Sequence, residues 1–234
     1  MSQSYHGLSH PPTPTRIQKS MTLLHTIYLV AIAAEAASGA LMGMRRRMDL
    51  FGLCVIGTVT ALGGGTVRDI LLGHYPLGWV AHPEYLAFTV GAAIVAAFLA
   101  RGLHRLRTAF LWLDALGLVA FTVIGCDIAA TTGANVVVVI LMGMATGVFG
   151  GLLRDVLCNE VPLVLRRDLY ATVSLATGML YVGLLHLEVD APLATTAAIG
   201  AGFAFRLLAL RFSLALPVLE ADTSSFDDEP GPHH

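Results

Sequence analysis

Two segments of this sequence carry the same polar pattern inside long apolar stretches. In each, a run of glycines is followed two residues later by the dipeptide Arg-Asp, and a proline lies downstream. Opposite charges beside side-chain-free backbone suit the binding or passage of a small ion. The residues of interest are Gly63, Gly64, Gly65, Thr66, Arg68 and Asp69 in the first segment, and Thr146, Gly150, Gly151, Arg154 and Asp155 in the second.

The Arg-Asp pairs are costly where they stand. A lone charge at the centre of a bilayer costs at least about 2.5–3.5 kcal/mol, so these side chains must pair, reach the interface or face water. One interpretation is that each arginine bonds a carboxylate or a helix end and only fixes packing. The other is that the two pairs line the two mouths of a polar path.

The glycine runs also admit two interpretations. Glycine lowers helix stability by about 1 kcal/mol per residue relative to alanine. A kink or break at Gly63–Gly65 would free carbonyl oxygens, which a membrane tolerates only where protein or water satisfies them. Carbonyl oxygens are good ligands for a partly dehydrated cation. The alternative is that the glycines only let helices pack closely.

Further polar residues lie within apolar stretches. Glu35 and Ser38 lie in the middle of the first stretch, with no Lys or Arg within helical reach along the sequence. An isolated carboxylate at this depth is a candidate functional group, and a structural hydrogen bond is the alternative. Asp114 and Asp127 lie near the two ends of the fourth stretch, where an interfacial position and a site role both fit.

The composition identifies the elements that must position these residues. The chain is 56% hydrophobic and 13% charged, with a mean hydropathy of +0.73, whereas soluble domains have about 25% charged residues. A spanning helix needs about 20 apolar residues. We therefore predict an all-α membrane protein with seven transmembrane helices, near residues 22–43, 51–72, 84–100, 109–130, 135–157, 168–187 and 193–214.

The arginines predict the orientation of these helices. The second, fourth and sixth connections contain no Lys or Arg, and only Arg16 and Lys19 lie on their side. The positive-inside rule then puts the N-terminus outside and the C-terminus in the cytoplasm. The arginines on the cytoplasmic side are Arg45, Arg46 and Arg47, then Arg101, Arg105 and Arg107, then Arg166 and Arg167, and finally Arg206 and Arg211 at the end of the last helix.

The two glycine-rich segments belong to a longer internal repeat with an offset of 86 residues. The offset relates Gly39 to Gly125, Gly57 to Gly143, Thr60 to Thr146 and Pro76 to Pro162. Because three helices form one repeat, the two halves are predicted to have opposite orientations, as in many transport proteins. The predicted organisation is a disordered tail over 1–21, repeats over 22–107 and 108–188, a seventh helix over 189–217 and a disordered tail over 218–234.

Several function classes are disfavoured. Cys54, Cys126 and Cys158 have no metal-ligand spacing, and no HExxH motif or phosphate-binding loop occurs. We therefore expect no metal, no cofactor and no enzymatic activity. The net charge of −2 gives no argument for nucleic acid. Trp79 and Tyr170 are interpreted as interfacial aromatic residues.

These motifs resemble the bacterial relatives of the trimeric intracellular cation channels, which overlap with a family known as glycine transporters. The resemblance covers about residues 24–217 and rests on five stretches and on Pro162 and Tyr170. The stretches are Ser38-Gly39-Ala40, Met48 to Gly52, Thr60 to Leu71, Leu113 to Gly117, and Gly147 to Leu157.

The resemblance implies two inverted three-helix halves plus a last helix, in a homotrimer of the bacterial inner membrane. It implies one pore inside each protomer, around which the second and fifth helices bend and cross. The implied activity is passive permeation of monovalent cations, chiefly potassium. One departure is Tyr28, which stands where many relatives carry an Asp matching Asp114 in the other half.

A cation channel and a small amino-acid carrier are therefore both considered. In the channel, Glu35 and the aspartates favour cations, and Asp69 and Asp155 neutralise the arginines or the arginines gate the pore. In the carrier, a glycine zwitterion binds with its carboxylate on arginine and its ammonium on Glu35. A membrane enzyme is the weakest of the hypotheses, because no nucleophile, base and oxyanion grouping is visible.

Overall fold

The computed structural model describes residues 14–102, 105–165, 169–212 and 214, and these residues form helices joined by short connections. Side chains are described from residue 22 onward. The elements are α1 (Pro14–Arg45), α2 (Leu50–Leu72), the short α3 (Gly78–Ala81), α4 (Glu84–Ala100), α5 (Leu106–Thr131), α6 (Val136–Leu157), a 3₁₀ turn (Leu163–Leu165), α7 (Tyr170–His186) and α8 (Ala191–Arg211).

The helices identify a multi-pass membrane protein. Five of those described are long and apolar enough to cross a bilayer, namely the Thr22–Arg45 part of α1 together with α2, α5, α6 and α8. The helix α4 is apolar with 17 residues, and α7 also has 17, which at 1.5 Å per residue gives about 26 Å. Each of the seven predicted spans overlaps one of these longer helices.

The predicted boundaries differ from the observed ones at several points. The helix α1 begins at Pro14, so residues 14–21 are helical and not part of a disordered tail, whereas the candidate membrane span within α1 begins at Thr22 as predicted. The sequence did not predict α3 or the 3₁₀ turn, which follow Pro76 and Pro162 respectively. Residues 1–13 of the predicted N-terminal tail, residues 215–217 of the predicted seventh-helix segment, the whole predicted tail 218–234 and the loop arginines at 166 and 167 lie outside the described residues.

The ends of α2 and α6 are built alike. Asp49 caps α2 by accepting from Gly52 N at 2.8 Å, and Asn135 caps α6 by accepting from Val137 N at 2.9 Å. Such caps satisfy backbone donors that a helix start leaves unpaired. Beyond the other ends, Gly73 and Asn159 have positive φ of 63° and 51°. Each matched pair is related by the 86-residue offset found in the sequence.

The glycine runs bring α2 and α6 into backbone contact. A Cβ built on Gly64 would overlap the carbonyl oxygen of Thr146, and a Cβ built on Gly150 would overlap that of Thr60. Both helices run through their glycines without interruption. The break that the sequence allowed is therefore wrong, and the glycines serve close approach. Nearby, Gly63 lies against Leu153.

The last helix, α8, packs against α5 and α7. A Cβ on Gly202 would overlap the hydroxyl of Thr177 and lie 3.1 Å from Val119. Because glycine has no side chain, the axis of α8 can approach the neighbouring helices closely at this position. One turn further along α8, Arg206 is drawn into the same interface and is fully buried.

Candidate functional site

The first half-site comprises Arg68, Asp69 and the residues that contact them at the end of α2. Arg68 donates from Nε and Nη2 to Asp69 Oδ1 at 3.0 and 2.7 Å. The other oxygen, Asp69 Oδ2, accepts from Gly78 N at 3.1 Å, and His74 Nδ1 lies 3.4 Å from Oδ1. Arg68 is 5% exposed. The buried guanidinium is therefore neutralised by its neighbour in the sequence.

A short helix closes this half-site. Gly78, the donor to Asp69, begins α3, and Trp79 in the same turn donates from Nε1 to Thr66 Oγ1 at 3.2 Å. Thr66 itself donates to Leu62 O at 2.8 Å within α2. The segment after Pro76 is thus held on α2 by two contacts, one to a carboxylate and one to a hydroxyl.

The second half-site is centred on Arg154 and lies deeper. Arg154 is 0% exposed and donates from Nε to Asp155 Oδ1 at 2.8 Å. Its Nη1 donates to Asp114 Oδ1 at 2.7 Å and to Ser38 Oγ at 2.9 Å. The guanidinium also lies over the ring of Phe110, 4.6 Å from the centroid. Side chains from α1, α5 and α6 therefore converge on one arginine.

Glu35 joins the same cluster through Ser38. Ser38 Oγ donates to Glu35 Oε2 at 3.2 Å, and Arg154 Nη1 lies 4.0 Å from that oxygen. Space for the carboxylate comes from Gly117 of α5, because a Cβ there would overlap Glu35. The isolated glutamate of the sequence thus has a partner, reached across the helix interface.

The Arg154–Asp155 pair is closed by the segment after Pro162. Asp155 Oδ2 accepts from Leu163 N at 2.9 Å, where the 3₁₀ turn begins. This contact corresponds to the one between Gly78 N and Asp69 in the first half-site. In both halves, a backbone N–H from a turn after a proline completes the aspartate's hydrogen bonding.

Two contributors to the second half-site were not recognised from the sequence. Tyr170 is 1% exposed and donates to Asp114 Oδ1 at 3.2 Å, so its interpretation as an interfacial residue is wrong. Arg206 lies over the Tyr170 ring at 4.8 Å and was interpreted only as a topological charge. Two features of the sequence could have identified these residues as site candidates. Tyr170 directly follows a basic connection, and Arg206 lies inside an apolar helix.

Six buried polar atoms of the second half-site have no hydrogen-bond partner among the described residues. They are two acceptors, Glu35 Oε1 and Asp114 Oδ2, and four donors, Arg154 Nη2 and the three guanidinium nitrogens of Arg206. Buried polar atoms without partners are rare and costly. The cluster therefore combines unused carboxylate oxygens with unused guanidinium nitrogens, a combination suited to a cation or a zwitterion.

The two half-sites differ in charge. At the position equivalent to Asp114 the first half has Tyr28, whose ring packs edge-on against Tyr85 at 5.0 Å. The first half-site has one carboxylate for its arginine, whereas Asp155, Asp114 and Glu35 all lie within 4.0 Å of Arg154. Negative charge is thus concentrated around Arg154.

The remaining predicted residues lie outside these two clusters or contribute through packing. A Cβ built on Gly151 would lie 2.9 Å from the Tyr170 hydroxyl and 3.4 Å from Arg154 Nη2, so Gly151 lets these side chains pack against α6, whereas a Cβ on Gly65 would make only an ordinary contact of 3.7 Å with Arg68 Nη2. Thr146 donates back to Met142 O at 2.6 Å. No group of three or more His, Cys, Asp or Glu side chains in the described part of the chain is arranged to hold a metal ion.

Comparisons with known proteins agree on a family and on a fold. The family model described as "Glycine transporter" matches twice, over residues 25–101 and 111–186, and the two segments begin 86 residues apart. The inner membrane protein YadS of Escherichia coli is 37% identical over 203 residues, which cover 86% of this chain and 98% of YadS.

Solved structures of cation channels are similar to this one. A trimeric intracellular cation channel orthologue from Rhodobacter sphaeroides is 38% identical with a TM-score of 0.80, covering 82% of this chain and all of that one. A prokaryotic channel of the same kind is 32% identical with a TM-score of 0.77, covering 84% of this chain and all of the other.

Proposed function

This chain belongs to the glycine transporter family and shares its fold with the trimeric intracellular cation channels, and from that premise we propose that it is a monovalent-cation channel, chiefly for potassium. The path runs inside each protomer between α2 and α6. The observation that carries the proposal is that the positive charge of each of the two arginines is compensated by a carboxylate. Each guanidinium is bonded to the adjacent aspartate, so neither presents an uncompensated positive charge to a cation.

The proposed path has three parts. The first half-site at Arg68 and the second half-site at Arg154 form its two charged ends. Between them lies the crossing of α2 and α6, lined by the backbone of the glycine runs and by Thr146. Backbone contact at Gly64 and Gly150 closes this crossing, so ions pass when the two helices separate there. Carbonyls and hydroxyls then replace part of the ion's water.

The proposal includes seven spans in two inverted halves, with the N-terminus outside. The matched caps, the matched turns after the prolines and the two family matches support the repeat. Arg46 in the first connection bonds Asn159 O and Glu160 in the fifth connection, each at 2.8 Å. This contact supports a topology in which the first and fifth connections lie on the same side of the membrane. As in the relatives named trimeric, the assembly is a homotrimer, here in the bacterial inner membrane.

A small amino-acid carrier is the second candidate, favoured by one observation. The second half-site has both an unpartnered donor, Arg154 Nη2, and unpartnered acceptors on Glu35 and Asp114. Glycine's carboxylate and ammonium match this set, because a guanidinium binds the one and carboxylates the other. The name of the matched family points to the same substrate.

Electrical recording tests the channel. The purified full-length protein is fused into a planar bilayer with unequal KCl concentrations on the two sides. Discrete currents that reverse near the potassium equilibrium potential are expected from the carboxylate excess around Arg154. Absence of current steps at either polarity, from protein that remains folded and inserted, would contradict a channel.

A further inference from the structure

Carboxylates outnumber guanidiniums by one in the second half-site when Arg206 is included. Three carboxylates, on Glu35, Asp114 and Asp155, face two guanidiniums, on Arg154 and Arg206, and all five residues are at most 1% exposed. We propose that Arg206 is a specificity-determining residue that restricts this half-site to one monovalent cation. The inference rests on the proposed function, since it assigns the site to the cation path.

Arg206 belongs to the cluster through Tyr170. Its guanidinium lies 4.8 Å from the Tyr170 ring centroid, and the Tyr170 hydroxyl donates to Asp114 at 3.2 Å. Arg206 is therefore one tyrosine side chain away from a carboxylate. Charges at such distances interact strongly in a dry interior, because little water screens them.

Within the part of the chain that the structure describes, Arg206 forms no ion pair. None of its three guanidinium nitrogens has a hydrogen-bond partner among the described residues. Arginine stays protonated in proteins, so the positive charge cannot be removed by burial. A cation–π contact attracts the guanidinium but does not neutralise its charge. Its charge is thus balanced by the carboxylate excess around Arg154.

The charge count gives the valence. In the proposed ion-bound state the three carboxylates are ionised, so that against two guanidiniums they leave one negative charge, which one monovalent cation neutralises. The unpartnered Glu35 Oε1 and Asp114 Oδ2 supply the contacts. A divalent ion would leave an uncompensated buried positive charge, which is costly. Without Arg206 the same cluster carries two negative charges and suits a divalent ion.

The test measures cation binding to the purified full-length protein by thermal unfolding at pH 8, with separate KCl and CaCl2 titrations. The variants are Arg206→Gln, Arg206→Lys and the double variant Arg206→Gln with Glu35→Gln, which restores a single negative charge. Arg211→Gln is the matched control, because Arg211 lies on the same helix but is exposed. Calcium is the divalent probe because it accepts flexible oxygen coordination.

Potassium is expected to raise the melting temperature of the wild type saturably, with little effect of calcium. In Arg206→Gln, the apparent calcium affinity is expected to rise at least about tenfold, since ligand charge sets calcium affinity. Arg206→Lys and Arg211→Gln are expected to respond like the wild type, and the double variant is expected to lose the gain in calcium affinity. Where Arg206→Gln does not fold, the double variant is expected to fold and to show no raised calcium affinity.

Three results would overturn the proposal. One is equal calcium sensitivity of Arg206→Gln and Arg206→Lys, because charge would then not be the determinant. Another is a wild type whose melting temperature does not respond to potassium, since a proton would then hold the residual charge. The third is a double variant that fails to fold. Binding needs no current, so potassium-dependent stability without channel currents would contradict only the channel.

Discussion

Gly64 and Gly150 each lie against the backbone of the other's helix, in a reciprocal pair of contacts. A Cβ on Gly64 would overlap Thr146 O, and a Cβ on Gly150 would overlap Thr60 O. The four residues are related by the same 86-residue offset. The crossing of α2 and α6 is therefore built by the repeat itself, and it is where the proposed path is closed.

Alanine at either glycine is expected to disturb this crossing. Gly64→Ala and Gly150→Ala should each destabilise the protein by about 1–3 kcal/mol, the range for overpacking, because backbone cannot move aside as a flexible side chain can. Potassium flux should change as well, since the helices are forced apart at the constriction. Thermal unfolding in detergent and flux in liposomes measure the two effects.

The chain offers matched controls at Gly91 in α4 and Gly183 in α7. A Cβ at either position would meet nothing within 4 Å. Alanine there should leave stability unchanged or raise it by up to about 1 kcal/mol, through helix propensity alone. Equal losses at all four glycines would contradict a special role for the crossing.

The two buried arginines should differ in their contribution to stability. Arg154→Met leaves Asp155 and Asp114 without their charged partner, and breaking a buried pair costs about 3–5 kcal/mol. Arg68→Met should cost less, because Asp69 keeps the Gly78 N–H and the exposed His74. Unfolding in detergent compares the two variants, and a larger loss from Arg68→Met would contradict the assigned asymmetry.

Tyr170 allows its hydroxyl and its ring to be separated. Tyr170→Phe removes the bond to Asp114 but keeps the ring beneath Arg206, and should cost about 1.5–3 kcal/mol, as for a hydrogen bond to a charged group. Tyr170→Leu removes both and should cost more. Equal losses would show that the ring contributes nothing to holding Arg206. Chemical denaturation at fixed detergent concentration is the measurement.

The predicted inversion can be tested with one pair of equivalent positions. Tyr75 and Val161 are related by the repeat offset and are 65% and 60% exposed. In a background lacking the native cysteines, Tyr75→Cys should react with an impermeant maleimide added outside intact cells. Val161→Cys should react only after permeabilisation. Labelling of both from the same side would exclude opposite orientations.

The sequence predicted the helices well because hydropathy decides where a chain crosses lipid. It also identified the Arg-Asp pairs, Glu35, Ser38 and Asp114 as candidate site residues, since buried charge is rare in a membrane. The structure places Glu35, Ser38 and Asp114 around Arg154, whereas Arg68 and Asp69 form a separate pair.

The remainder depended on contacts between distant helices. Tyr170 was interpreted as interfacial because it lies near the end of a predicted span. The position in the sequence does not show that its side chain points toward Asp114. Arg206 was interpreted only as a cytoplasmic charge that sets the orientation of the last helix. Its burial depends on the packing of Gly202 in α8 against Thr177 in α7, a contact between helices that the sequence does not show. The interruption expected at the glycines did not occur, because contact between α2 and α6 stabilises helical backbone that glycine alone would weaken.

The central claim is passive potassium conduction, and the most direct test measures potassium flux down a gradient beside radiolabelled glycine uptake in the same proteoliposomes. Empty vesicles and Arg154→Ala serve as controls. We predict fast, non-saturating potassium flux that is altered in Arg154→Ala, with no glycine uptake. Saturable glycine uptake without an ion leak would contradict the channel, and would make Arg154, Glu35 and Asp114 the ligands of a carried zwitterion.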